Sequence, residues 1–228
     1  MEKTKKNIFK LPILEDFYDY KKSVYFVIFI AYAIVNTLVL SLSSNPMWLK
    51  FIVDTPMLFI MLYLFRKVLI NDIKIFGKHL KRYIPFVLVG FLITLVLNFI
   101  GTNIVIGGID GSAPNQEAAL AAFEQSTIFG VLIMVFAAPI MEELIFRRSI
   151  RIMVKNKLLY YFLSVFLFGM AHLIIGFTFP TSFAFILSYA LSAIGYIYVY
   201  EKSNNIWCPI FTHMLLNAVP VSLIIIML

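Results

Sequence analysis

Two glutamates, two histidines, an arginine and an asparagine stand at helical spacings inside long apolar runs of this 228-residue chain. In EELIFR, Glu143 and Arg147 are four residues apart and so share a helix face. Glu142 lies about 100° further round the helix, outside that pairing. The arrangement suits a general base steadied by a neighbouring salt bridge; the plainer reading is an ion pair snorkelling at the cytoplasmic end of a span. His172 follows Phe168 by four residues in FGMAH, and His213 precedes Asn217 by four in HMLLN. A single histidine among apolar residues is commonly a hydrogen-bonded core residue, whereas His213 and Asn217 put two polar groups on one face of an otherwise apolar helix. Pro139, three residues before Glu142, and Pro209, four before His213, lack backbone donors. Each is expected to kink its helix and leave a carbonyl free near the site.

The elements that must position these residues are membrane spans. The chain is 61% apolar and 14% charged, with a mean hydropathy of +0.92, where a soluble domain has about 45–50% and about 25%. That leaves too little polar surface to cover a water-soluble globule, so lipid is the expected solvent. The N-terminal stretch is mixed in charge and does not read as a secretory signal. The single cysteine, Cys208, excludes an intramolecular disulfide and a multi-cysteine metal site.

Apolar runs of about 20 residues fit a bilayer core, and seven are read, at about 23–42, 48–66, 83–106, 126–147, 157–178, 180–200 and 206–228. The fold class is therefore all-α, a polytopic membrane helix bundle of about seven transmembrane helices. Of nineteen lysines and arginines, eighteen fall in the N-terminal segment or after the second, fourth and sixth runs, and only Lys50 falls on the other side. This places the N-terminus in the cytoplasm and the C-terminus outside a multi-pass cell-membrane protein. The net charge of +7 is thus a topology signal, with anionic lipid head groups as partners and nucleic acid excluded. Residues 107–126 carry three acids and no bases, as an outside loop should, with Asn115 and Glu117 suited to open a short surface helix. Asp54 is placed near the outer interface, His79 in a solvated basic loop, and Ser188 and Ser192 on a small-xxx-small face for close helix packing. Asn36 and Asn98 are further amides within the spans.

Depth decides whether the polar residues can meet. If Lys155, Lys157 and Lys202 mark the cytoplasmic surface, Glu142, His172 and His213 lie roughly 20, 22 and 17 Å below it at the helical rise. They then share a level and can compensate one another. If the membrane edge is at Arg147 instead, Glu142 is shallow and His172 deep.

Taken together, EExxxR, FxxxH and HxxxN, in this order on successive spans, resemble the CPBP family, the CAAX prenyl endopeptidases and the bacterial Abi-type bacteriocin-processing or self-immunity proteins. The stretch GYIYVYEKSNNIWCPIFTH before the last histidine is also similar to the family's. The resemblance covers about 126–220, making 126–228 a catalytic core of four spans, while 1–125 holds the N-terminal segment and three spans without a motif. It implies an intramembrane endopeptidase acting on membrane-associated peptides or proteins. Glu142 and His172 would activate a water, His213 and Asn217 would form an oxyanion hole, and Glu143 and Arg147, with Phe168, would support the site. It implies no cofactor or metal; zinc on Glu142, His172 and His213 is the second choice, since His₂Glu is a zinc ligand set. The alternative function is a non-catalytic bacteriocin self-immunity or membrane scaffold protein.

Overall fold

The computed structural model describes residues 20–42, 46–105, 126–172 and 181–227. Among them the secondary structure is entirely helical, as lipid requires of a backbone that must satisfy its own hydrogen bonds. The helices are α1 (Lys22–Leu42), α2 (Pro46–Leu64), α3 (Arg66–Lys78), α4 (Leu80–Ile100, continued by a π-helical turn, Gly101–Val105), α5 (Thr127–Met153), α6 (Lys157–Ala171), α7 (Thr181–Ser203) and α8 (Trp207–Met227). Leu80–Asn103, Thr127–Met153 and Phe183–Ser203 are long and apolar enough to cross a membrane. Lys22–Val35, Ile52–Leu64, Lys157–Ala171 and Trp207–Leu223 are shorter apolar stretches.

Helix α5 is the axis of the bundle. From Met141 to Ile150 every residue except Glu142 is buried, so this part is enclosed on all sides. Tyr25, Ile28 and Tyr32 of α1, Phe168 of α6, and Tyr196 and Ile197 of α7 form one core with Met141, Leu144, Ile145 and Phe146. Two stretches of α5 are π-helical, Leu132–Ala137 and Leu144–Ser149. Side chains help to satisfy carbonyls there: Ser149 donates to Leu144 O at 2.9 Å and Ser164 of α6 donates to Phe146 O at 2.6 Å.

Antiparallel packing of α4 on α7 rests on small residues. A Cβ on Gly195 would strike Thr94, one on Gly90 would strike Val199, and one on Gly101 would lie 2.9 Å from the Cα of Ser188. Asn98 adds a hydrogen bond to Ser192 Oγ at 3.2 Å. The small-xxx-small expectation for Ser188 and Ser192 is met by this seam.

Helix α3 is an element the sequence reading leaves out. Its inner residues Val68, Leu69, Asp72 and Phe76 are buried, and it fastens the start of α8. Asp72 Oδ2 accepts the Ile206 N–H at 2.9 Å, Asp72 O accepts Asn205 Nδ2 at 2.7 Å, and Leu69 O accepts Trp207 Nε1 at 2.8 Å. Asn204, at φ 51°, ends α7 in the left-handed conformation, its N–H closing on Tyr200 O at 2.8 Å.

The structure departs from the sequence reading at Pro209 and at His172. Pro209 falls in the first turn of α8, where an N–H has no helical partner in any case, so it does not kink the helix; the proline in the helix interior is Pro220. Asp54, expected near the outer interface, is buried inside the protein, with 4% of its surface exposed. His172 is the C-cap of α6 rather than a mid-helix residue, because its own N–H turns back to Gly169 O at 3.3 Å. His79 is exposed between α3 and α4, as expected. The loop expected at 107–126, apart from Ser126, the segment to residue 178 and the side chain of Asn36 lie outside the described residues.

Candidate active site

Three helices bring the chemistry together: α5 supplies Glu142, Glu143 and Arg147, the end of α6 supplies His172, and α8 supplies His213 and Asn217. His172 Nε2 lies 3.8 Å from Glu142 Oε2, and His213 Nε2 lies 3.9 Å from the same oxygen. Both separations exceed a direct hydrogen bond and suit groups that converge on one shared atom. The three side chains that the depth argument puts at one level are therefore neighbours.

Each histidine is anchored through its other nitrogen. His172 Nδ1 is 2.8 Å from Phe168 O, and His213 Nδ1 is 3.0 Å from Glu143 Oε1. A carbonyl and a carboxylate only accept, so in both rings Nδ1 carries the proton and donates it. With Nδ1 so engaged, each ring turns its Nε2 towards Glu142.

Glu143 has a second duty. Its Oε2 is 3.0 Å from Arg147 Nε, and both side chains are fully buried. The Arg147 guanidinium also lies over the rings of Phe168, at 4.6 Å, and Tyr196, at 5.1 Å. Glu143 thus links Arg147 to His213, while Glu142, 12% exposed and one residue earlier, faces the two imidazoles. This is the division between the glutamates that the i,i+4 spacing implies.

Asn217 sits one turn beyond His213 and donates Nδ2 to Met134 O at 2.8 Å. That carbonyl belongs to the first π-helical stretch of α5, five residues before Pro139. A π turn would pair it with the N–H of residue 139, which proline lacks. The carbonyl freed by Pro139 is thus taken up by Asn217, leaving one amide hydrogen for other use. Phe168 fills the centre, its ring centroid 4.6 Å from His172, 5.9 Å from His213 and 5.4 Å from Phe146.

Two residues that the sequence reading passes over, Tyr189 and Tyr196 of α7, stack on the histidines. Their seven-residue spacing places them on one helix face, the one signal that could have found them. Among the described residues, no group of three His, Cys, Asp or Glu side chains is arranged to hold a metal ion.

Residues 124–219 match the family model described as type II CAAX prenyl endopeptidase Rce1-like. A curated Bacillus subtilis protein named "Putative membrane peptidase YdiL" is 26% identical over 133 residues, which is 56% of this chain and 51% of that protein. The chain therefore spans about half the length of the curated relative it matches. No solved structure matches the chain. The helices long and apolar enough to cross a membrane make this a helical membrane protein, and the segment 124–219, which holds Glu142, His172, His213 and Asn217, is similar to the Rce1-like CAAX prenyl endopeptidases.

Proposed function

We propose that this chain is an intramembrane endopeptidase that hydrolyses membrane-associated peptides or proteins with a water activated by Glu142 and His172. The observation that carries this is the approach of two imidazole Nε2 atoms to one carboxylate oxygen, at 3.8 and 3.9 Å, with both Nδ1 atoms already anchored. A water between Glu142 Oε2 and His172 Nε2 gives up a proton as its oxygen bonds to the scissile carbonyl carbon. The carbonyl oxygen becomes an oxyanion. The C–N bond then breaks, and the proton held by Glu142 or His172 goes to the departing amine.

His213 stabilises the oxyanion as an imidazolium. Its Nδ1–H is committed to Glu143, so an Nε2–H requires the doubly protonated ring, and the Glu143 carboxylate supports that charge. The remaining N–H of Asn217 adds a second donor. The site works in a bundle of seven spans with α3 at the cytoplasmic face, the N-terminus cytoplasmic and the C-terminus outside; the basic segments around α3 and after α5 support this orientation. No metal or cofactor takes part. Peptide pheromones, bacteriocins or leader peptides are the substrate class in view.

Purified protein in proteoliposomes, offered a library of membrane peptides, should cleave members of it, and Glu142→Ala and His172→Ala should each be slower by about 10²–10⁴-fold. Equal cleavage by wild type and both variants would sink the proposal.

A further inference from the structure

Each of the two histidines carries a tyrosine of α7 on its face. Tyr189 stacks on His172 with ring centroids 4.3 Å apart and planes 20° from parallel, and Tyr196 stacks on His213 at 4.4 Å and 21°. The two stacks are near copies of one another, repeated after seven residues of a single helix. Two helical turns bring a residue back to the same face, so α7 presents both tyrosines to the site at once. Phe168 completes the aromatic wall, 5.9 Å from Tyr196.

A hydrogen bond alone does not fix an imidazole. Holding Nδ1 on an acceptor still lets the ring rock about that bond within the limits its Cβ sets, and the rocking carries Nε2 off its target. A second constraint on the ring plane removes this freedom. His172 has Phe168 O for the first and Tyr189 for the second; His213 has Glu143 Oε1 and Tyr196. With both constraints in place, each Nε2 is directed at Glu142 Oε2.

We propose that Tyr189 and Tyr196 are paired positioning residues, through which α7 sets the planes of both imidazoles so that their Nε2 atoms converge on Glu142. The proposal rests on the reading of Glu142, His172 and His213 as the hydrolytic centre. The effect is assigned to the stacked ring, which phenylalanine retains and leucine lacks.

The test uses the full chain in detergent micelles or nanodiscs, as wild type and as Tyr189→Phe, Tyr189→Leu, Tyr196→Phe and Tyr196→Leu. Two quantities are read: turnover of a membrane peptide that the wild type cleaves, and the imidazole C–H resonances of the histidines, with exposed His79 as the internal reference. The leucine variants should lose about 10²-fold in kcat, the penalty of a misplaced catalytic group, with KM little changed, while the phenylalanine variants keep both. The ring-current displacement of the His172 resonance should vanish in Tyr189→Leu and persist in Tyr189→Phe, and the same should hold for His213 and Tyr196. Wild-type kcat in the leucine variants, or equal damage from phenylalanine and leucine, overturns the proposal. If cleavage proves indifferent to Glu142→Ala, the hydrolytic reading fails by itself. The resonances then still decide the positioning, and unchanged histidine signals in the leucine variants overturn it. Tyr196 is buried, so if Tyr196→Leu does not fold, the partly buried Tyr189 carries the test.

Discussion

Asn217 on α8 donates an Nδ2 hydrogen to the carbonyl of Met134 on α5, across 2.8 Å. The bond ties the helix of His213 to the helix of Glu142 at the point where Pro139 removes a backbone donor. Taking that donor away leaves a carbonyl without its partner, a loss of about 1–3 kcal/mol. Asn217→Ala should therefore melt earlier in detergent, and ionised Asn217→Asp, which cannot donate, should fall with it. A residue engaged only with the oxyanion would lower turnover and leave the melting temperature alone, so thermal unfolding beside peptide cleavage separates the two roles.

Adjacent glutamates should fail in different ways. Glu143 is fully buried between Arg147 and His213, and Glu143→Gln strands the arginine without its counter-charge, at about 3–5 kcal/mol. Glu142 faces the imidazoles and is not paired with Arg147. Glu142→Gln should keep the wild-type melting temperature while losing about 10²–10⁴-fold in turnover. Circular-dichroism melts of the two variants check this, and an equal loss of stability in both would contradict the division of labour.

The residues that converge on the site were legible because ionisable groups are costly in an apolar span and stand out there. Helical spacing alone then separated Glu142 from Glu143, and matching depth anticipated that Glu142, His172 and His213 would meet. Tyr189 and Tyr196 carried no such signal, since a tyrosine on an apolar helix also suits the membrane interface. Helix α3 was hidden because Lys67, Lys74 and Lys78, on the face opposite the buried Val68, Leu69, Asp72 and Phe76, made the segment read as a basic loop instead of an amphipathic helix. The π-helical stretches of α5 have no composition of their own. Pro139 was the one mark, and it pointed to a freed carbonyl without naming Asn217 as its partner.

The α4–α7 seam should be intolerant of bulk. At Gly195 an added Cβ would meet the Thr94 side chain, whose own hydroxyl is held on Gly90 O at 2.8 Å and cannot easily yield. Gly195→Ala should cost about 1–3 kcal/mol through overpacking. Gly77 of α3, with nothing within 4 Å of its Cβ position, is the control, where the same change should do no such harm. The unfolding transition in a detergent series measures both.

Metal dependence follows from the chemistry of the donors. His172, His213 and Glu142 have the composition of a zinc site, yet no metal-binding group of three appears among the described residues. Hydrolysis should continue undiminished after prolonged treatment with a strong chelator. Stoichiometric zinc in the active protein, with activity lost on chelation and restored by zinc, would replace the water-activating carboxylate with a metal ligand.

Asp72 makes the anchorage of α8 sensitive to pH. Burial raises its carboxyl above the ordinary 3.8, outweighing the Ile206 N–H, the Arg148 charge and the Asn71 amide, which lower it. A carboxyl raised in the folded state binds its proton more readily folded than unfolded. Its contribution is therefore most favourable below pH 3.8, declines as pH climbs from 3.8 to the raised value, and is level above that. Asp72→Asn keeps an oxygen for the Ile206 N–H and removes the titration. Its stability relative to wild type should improve as pH rises through that interval, then stay constant. Asp72→Ala, which leaves the buried Ile206 N–H without an acceptor, should lose about 1–3 kcal/mol across the range. Thermal melts of the three proteins at a series of pH values are the measurement. A difference between Asp72→Asn and wild type that ignores pH would mean that the carboxyl titrates as it does in the unfolded chain.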